Sequence, residues 1–174
     1  MTLDIHWPLF RTEIGLVTLS LGILVLSIFL KNSQKRGKTL ATIALGGVGL
    51  LFVDLCFHWG HFGTSLGNTF IQDGVSFFFK ILFFLSAFFV LFMAREYQGQ
   101  LKRGHEEFTL LILFALIGMV FLISAGDFLL FFVALETLTI SMYIMTAYLR
   151  DKEASIEAGV KYLILGALST ALFL

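Results

Sequence analysis

Six apolar runs, separated by short links that carry charge or glycine, decide what this chain can fold into. They cover roughly Ile14–Leu30, Leu40–Phe57, Val75–Met93, Phe108–Ala125, Phe128–Leu149 and Ala158–Leu174. A helix crosses a bilayer with about 20 apolar residues, whereas a barrel strand needs about 10 and alternates polar with apolar. These runs are long and do not alternate, and the links between them are too short for a soluble domain. The sequence therefore predicts an all-α membrane protein, with residues 1–174 forming a single transmembrane domain of six helices. Composition agrees, with 58% of residues hydrophobic and only 14% charged, where soluble proteins carry about a quarter. Twelve Lys and Arg balance twelve Asp and Glu, so no basic field exists to attract nucleic acid. The single cysteine, Cys56, excludes a disulfide framework and a thiolate metal cluster.

Basic residues set the orientation, because cytoplasmic links are enriched in Lys and Arg. Lys31, Lys35, Arg36 and Lys38 follow the first run, Arg95, Lys102 and Arg103 the third, and Arg150 and Lys152 the fifth. Only Arg11 lies on the other side. The N-terminus is thus expected outside, with Trp7, Trp59 and Tyr97 near the interfaces. The last run stops at Leu174 with no closing charge or polar tail. The expectation is an N-terminal fragment, incomplete at its C-terminus.

Ionisable groups inside apolar runs cost about 2.5–3.5 kcal/mol each on insertion scales, so each needs a reason. Glu136 is the deepest, about 13 Å of helix from Asp127 and about 21 Å from Arg150. Thr139 and Tyr143 share its face, with Thr137 and Ser141 alongside. A protonated glutamate bonding a neighbouring helix is one reading; a proton or ion relay, switched by a nearby cation, is favoured. Lys161 stands about one turn inside its run, four residues after Glu157 on the same face. It fits either an interfacial lysine reaching water or a relay residue. Lys80 lies about 10 Å into the third run, on the face of Asp73, and its stem leans toward the helix start. It can reach the outer interface, or a buried acid as part of a relay.

Other constellations are bland. Asp54, His58 and His61 have helical spacing that could align three metal ligands, but the glycine-rich segment favours interfacial histidines and no metal site. Gly46, Gly47 and Gly49 suit close helix approach. No nucleophile elbow or zinc-protease motif occurs, and His6, His58, His61 and His105 lie outside the runs, where they cannot hold haem between helices. No redox centre is expected on this chain.

The run Ser124-Ala125-Gly126-Asp127, then Leu135-Glu136, then Glu157-Ala158-Gly159-Val160-Lys161-Tyr162 and Leu165-Gly166-Ala167 resembles the subunit N family of bacterial NADH-quinone oxidoreductase (respiratory complex I), counterparts of mitochondrial subunit 2. Asp73-Gly74-Val75-Ser76 and Phe79-Lys80 fit the third helix of that family. The resemblance covers about the last hundred residues by motif and the first seventy by span pattern. It implies an antiporter-like subunit of roughly fourteen helices with two inverted repeats. It also implies a fifth-helix glutamate, here Glu136, paired with a seventh-helix lysine that has no counterpart in these residues, and a sixth-helix lysine matched by Lys161. The implied function is proton translocation coupled to quinone reduction, with Glu136 and Lys161, and less directly Lys80, as relay residues. NADH, FMN, iron–sulfur clusters and quinone would act elsewhere in the complex. The implied partners are antiporter-like and small membrane subunits and the lipid bilayer, with the chain multi-pass in the inner (plasma) membrane.

Two other readings compete: a subunit of a cation/proton antiporter or membrane-bound hydrogenase, or a truncated product that neither pumps nor assembles. Co-purification with quinone-reducing activity is the expected result for the first reading. Recovery of the bare chain outside any complex would support the truncated one.

Overall fold

The structure, a computed structural model, describes residues 6–29, 35–60, 62–97 and 105–173, without the side chains of residues 35, 36, 97 and 105. Lys31, His61, Lys102, Arg103 and Leu174 lie outside the described residues. So do the side chains of Lys35, Arg36, Tyr97 and His105.

In hydrocarbon a backbone amide has no water to bond, so each apolar run must satisfy its own backbone. Six helices result: α1 (Arg11–Phe29), α2 (Lys35–Phe57), α3 (Gly74–Tyr97), α4 (His105–Ile123), α5 (Phe128–Thr146) and α6 (Glu153–Phe173). All six are long and apolar enough to cross a membrane. Several boundaries depart from the apolar runs, with α2, α3 and α4 reaching into their charged links, and three of the departures shape the bundle. A 3-10 turn at Trp7–Phe10, with its proline at the start, leads directly into α1, so the apolar segment extends outward past Glu13. α5 ends three residues before Leu149, where the Ser155 hydroxyl bonds the free carbonyl of Thr146 at 2.8 Å. α6 starts at Glu153, which brings Glu157 inside the helix.

The link between α2 and α3 folds into a hairpin that the sequence reading does not anticipate. Strands β1 (Gly63–Ser65) and β2 (Phe70–Gln72) pair antiparallel, with Gly63 opposite Gln72 and Ser65 opposite Phe70. The turn places Leu66, Gly67 and Asn68 at positive φ (55°, 65° and 73°), a region where a leucine is sterically costly. The hairpin is stitched to the α4–α5 link. Ile71 N–H donates to the Ser124 carbonyl and Gly126 N–H to the Thr69 carbonyl, each at 2.8 Å. A Cβ on Gly126 would strike the Asn68 carbonyl, so glycine is required there. Asp127 then caps α5 by accepting from Leu130 N–H at 2.8 Å.

α4 is the centre of the bundle, packing on α1, α2, α3 and α5. Its Leu113, Leu116 and Val120 are fully buried against Leu16 and Ile23 of α1, Val48 of α2, and Phe84 and Leu91 of α3. Leu50, Met93 and Leu172 are 70–82% exposed, as lipid-facing side chains would be. Of the three clustered α2 glycines, Gly47 admits Leu19 and Gly49 admits Phe88, while Gly46 faces open space. The tightest approach of one helix backbone to another is at Gly118, where a Cβ would lie 2.7 Å from Leu138 N and 3.0 Å from the Ala134 carbonyl. Gly118→Val is expected to cost about 1–3 kcal/mol by overpacking, seen as a lower thermal midpoint in detergent. An unchanged midpoint would show that α4 and α5 are not in this close register.

Candidate functional site

Lys80 is drawn into the protein interior rather than to the interface. Its side chain is fully buried, and its Nζ lies 2.6 Å from Glu13 Oε1, itself 1% exposed. The acid that Lys80 meets is therefore Glu13 of α1 and not Asp73, its helical neighbour. Asp73 instead begins α3: Ser76 N–H donates to its Oδ1 at 2.7 Å, and this bond holds the Asp73 carboxyl below its ordinary 3.8.

Three elements fix the ammonium. Glu13 supplies charge, the Gln72 Oε1 of β2 accepts from Nζ at 3.0 Å, and the Phe70 ring faces it with its centroid 5.0 Å away. Phe70 is itself fully buried, with Phe10 at 4.3 Å and Phe121 at 6.5 Å between centroids. The hairpin thus roofs the pair with an aromatic lid. Lys80 approaches Glu13 Oε1 closely but at a poor angle for a hydrogen bond, so the attraction is ionic, and among the described residues Oε2 receives no donor. Two unit charges at about 4 Å attract by about 4 kcal/mol at an effective dielectric near 20.

Glu13 escaped the sequence reading because it stands one residue before the run that begins at Ile14, where a charge looks interfacial. The signal was there: Trp7–Phe10 is apolar too, and the helix-long apolar span begins at Trp7. Glu13 thus stands inside a longer apolar span, with only Arg11 and Thr12 between it and Phe10.

Glu136 lies at the middle of α5, about 12 Å of helix from Phe128 and about 15 Å from Thr146. It is half-buried, and no ion pair or side-chain hydrogen bond engages its carboxyl among the described residues. The hydroxyls beside it are satisfied by their own helix. Thr139 donates to the Glu136 carbonyl at 3.2 Å, Thr137 to Val133 at 2.7 Å and Ser141 to Thr137 at 2.8 Å. Thr139 and Tyr143 also line a cavity of about 260 Å³ between α5 and α6, together with Tyr162, Ser169 and Thr170. Glu136 does not line it.

Lys161 pairs with Glu157 at 2.5 Å, as their spacing predicts, and both side chains are about two-thirds exposed. They occupy the open side of α6. The side that meets α5 is made by the other residues of the same motif. Gly159 makes room for Ala147, Gly166 for the Tyr143 hydroxyl, and Tyr162 sets its ring edge-on to Tyr143 at 4.9 Å. Glu136, Lys161 and Lys80 are therefore three separate sites in these residues.

The histidine cluster is an ionic tie. Arg11 Nη2 meets Asp54 Oδ1 at 2.8 Å, and Arg11 Nη1 donates to His58 Nε2 at 2.9 Å. Arginine can only donate, so the other ring nitrogen, Nδ1, carries the hydrogen and bonds the Asp54 carbonyl at 2.8 Å. Among the described residues no three His, Cys, Asp or Glu side chains could hold a metal. At the opposite end, burial pushes the Tyr148 phenol up to about 12, with Glu107 adding to it.

Comparison with known proteins agrees with these elements. Residues 125–174 match the family described as NADH:quinone oxidoreductase/Mrp antiporter, TM. NADH-quinone oxidoreductase subunit N of Desulfitobacterium hafniense is 36% identical over 95% of this chain and 34% of its own length. Subunit N 1 of Opitutus terrae is 38% identical over 97% of this chain and 34% of its length. The chain thus spans about a third of the length of the curated relatives it matches. A chain in the structure of respiratory complex I from Thermus thermophilus with bound aureothin superposes with a TM-score of 0.76 at 31% identity, over 93% of this chain and 34% of that one.

The two lysine pairs differ in what they lose. Lys80→Met leaves Glu13 charged, buried and alone, and is expected to cost about 3–5 kcal/mol. Lys161→Met removes an exposed pair and should cost at most about 1 kcal/mol. Thermal unfolding of the two variants in detergent measures the difference; equal midpoints would contradict the burial of Lys80.

Proposed function

From the premise that this chain belongs to the NADH-quinone oxidoreductase subunit N family, we propose that it forms part of a proton-translocating, multi-pass subunit of the inner membrane. In that role it works within a complex of other membrane subunits. Electron transfer from NADH to quinone takes place elsewhere in that complex, and this chain moves protons in response.

Glu136 carries the proposal. A carboxyl in mid-helix, with its neighbouring hydroxyls bonded to their own backbone, is left among the described residues with no local partner to neutralise it. Such a group is costly in a membrane unless it faces a cation, water or another helix. It is held as a proton-binding site whose occupancy follows the position of a cation outside these residues. An approaching positive charge favours the carboxylate and releases the proton; its withdrawal favours the acid and takes one up. Lys161, paired with Glu157 on the open side of α6, is the next charged group toward the inner side. Its ammonium can pass between Glu157 and a second acid on whatever covers that face. Lys80 is the third relay member, at the outer end, acting through its fixed positive charge rather than by passing on its own protons.

Transport by a cation/proton antiporter would use the same glutamate, and the family description at residues 125–174 names both types. The long matches to subunit N favour the quinone-linked complex.

Glu136→Gln in the full-length subunit of the assembled complex keeps the side-chain volume and removes the titrating proton. Proton pumping measured in vesicles is expected to be abolished while the complex still assembles. Normal pumping would overturn the assignment.

A further inference from the structure

The outer end of the bundle contains a buried acid that the Glu136 site does not involve. Glu13 is 1% exposed, and its Oε2 receives no donor among the described residues. The Ser124 hydroxyl, at the top of α4, is fully buried and likewise without a partner among the described residues. Ser124 belongs to the same roof, since its carbonyl accepts from Ile71, the residue beside Gln72. Buried polar atoms in native proteins are almost always bonded, and those without protein partners are served by internal water.

A pair kept only to clamp α1 against α3 would gain little from being charged. Apolar side chains of similar volume serve as well or better, because two ions must be stripped of water. A clamp would also use both carboxylate oxygens. Here one oxygen is committed to Lys80 and the other is open, while the ammonium has three separate supports. The arrangement holds the cation still and leaves the acid free to react.

We propose that Glu13 is a second proton-exchanging acid of this subunit, reached through internal water held at its free oxygen and at the Ser124 hydroxyl, with Lys80 as its fixed counter-cation. This rests on the proton-translocation reading and adds an outer site to it. In the loading step a hydronium gives its proton to Glu13. One hydronium O–H bond breaks, its electron pair stays on the water oxygen, and a new O–H bond forms at Oε2. Lys80 keeps its three protons, supported by Gln72 and the Phe70 ring. Release is the reverse step.

Among the described residues, the other charged groups nearby are engaged elsewhere. On α1, Arg11 is held by Asp54 and His58 of α2 at the surface. At the start of α3, Asp73 is bonded by Ser76. α4 contributes the Ser124 hydroxyl and β2 the Gln72 amide.

The test uses the full-length subunit in the assembled complex. Infrared difference spectra taken between pH values should contain a carboxylic-acid C=O band that vanishes in Glu13→Gln. Ser124→Ala should displace the pH at which that band appears. Protons moved per quinone reduced should fall about twofold or more in Glu13→Gln. Absence of a Glu13-dependent band, or an unchanged proton ratio, would overturn the proposal and leave a packing clamp. If Glu13→Gln prevents assembly, Glu13→Gln combined with Lys80→Met leaves no unpaired charge and carries the same two readouts. The Glu136→Gln variant separates the readings: normal pumping there with a positive Glu13 result would remove the mid-helix site and keep this one.

Discussion

Hydrocarbon offers no hydrogen bonds, and that single property of the solvent orders this structure. It forces each apolar run into a helix, because only a helix satisfies its own amides within one segment. It also turns every ionisable side chain into a cost that must be offset by a partner, by water or by use. The chain meets that cost in three ways. Arg11, Asp54 and His58 bond one another at an outer edge where water is near. Lys80 and Glu13 pair in the interior beneath an aromatic roof. Glu136 has no charged partner among the described residues.

The helices were legible because their signal is length and apolar content, and both survive any detail of packing. Their ends were less so. α5 stops short of Leu149 because Ser155, on the next helix, bonds a carbonyl that the apolar run alone would have kept in the helix. The hairpin was not legible at all. Its strands are three residues each, too short for alternation to register, and its main partner is a link more than fifty positions away in sequence. Glu13 was hidden for a related reason. Its burial goes with Leu9 and Phe10 turning inward and with β2 covering its partner Lys80, and neither is a property of the residues beside it.

The motif that carries the family resemblance divides by face in the structure. In Glu157-Ala158-Gly159-Val160-Lys161-Tyr162, the glycine and tyrosine fit α6 to α5, while the glutamate and lysine look the other way. One short run therefore records two requirements, helix contact and an outward charge pair. The same holds for Ser124-Ala125-Gly126-Asp127. Its members accept from β2, bridge to Phe70, clear the Asn68 carbonyl and cap α5 in turn.

That stitching has a mechanical consequence. The two backbone bonds from the hairpin to residues 124 and 126 join the roof over Lys80 to the short link that launches α5. Moving the outer end of α5 away from the bundle would strain or break both bonds. The ends of α3, α4 and α5 on that side therefore share one stiff plate and move together.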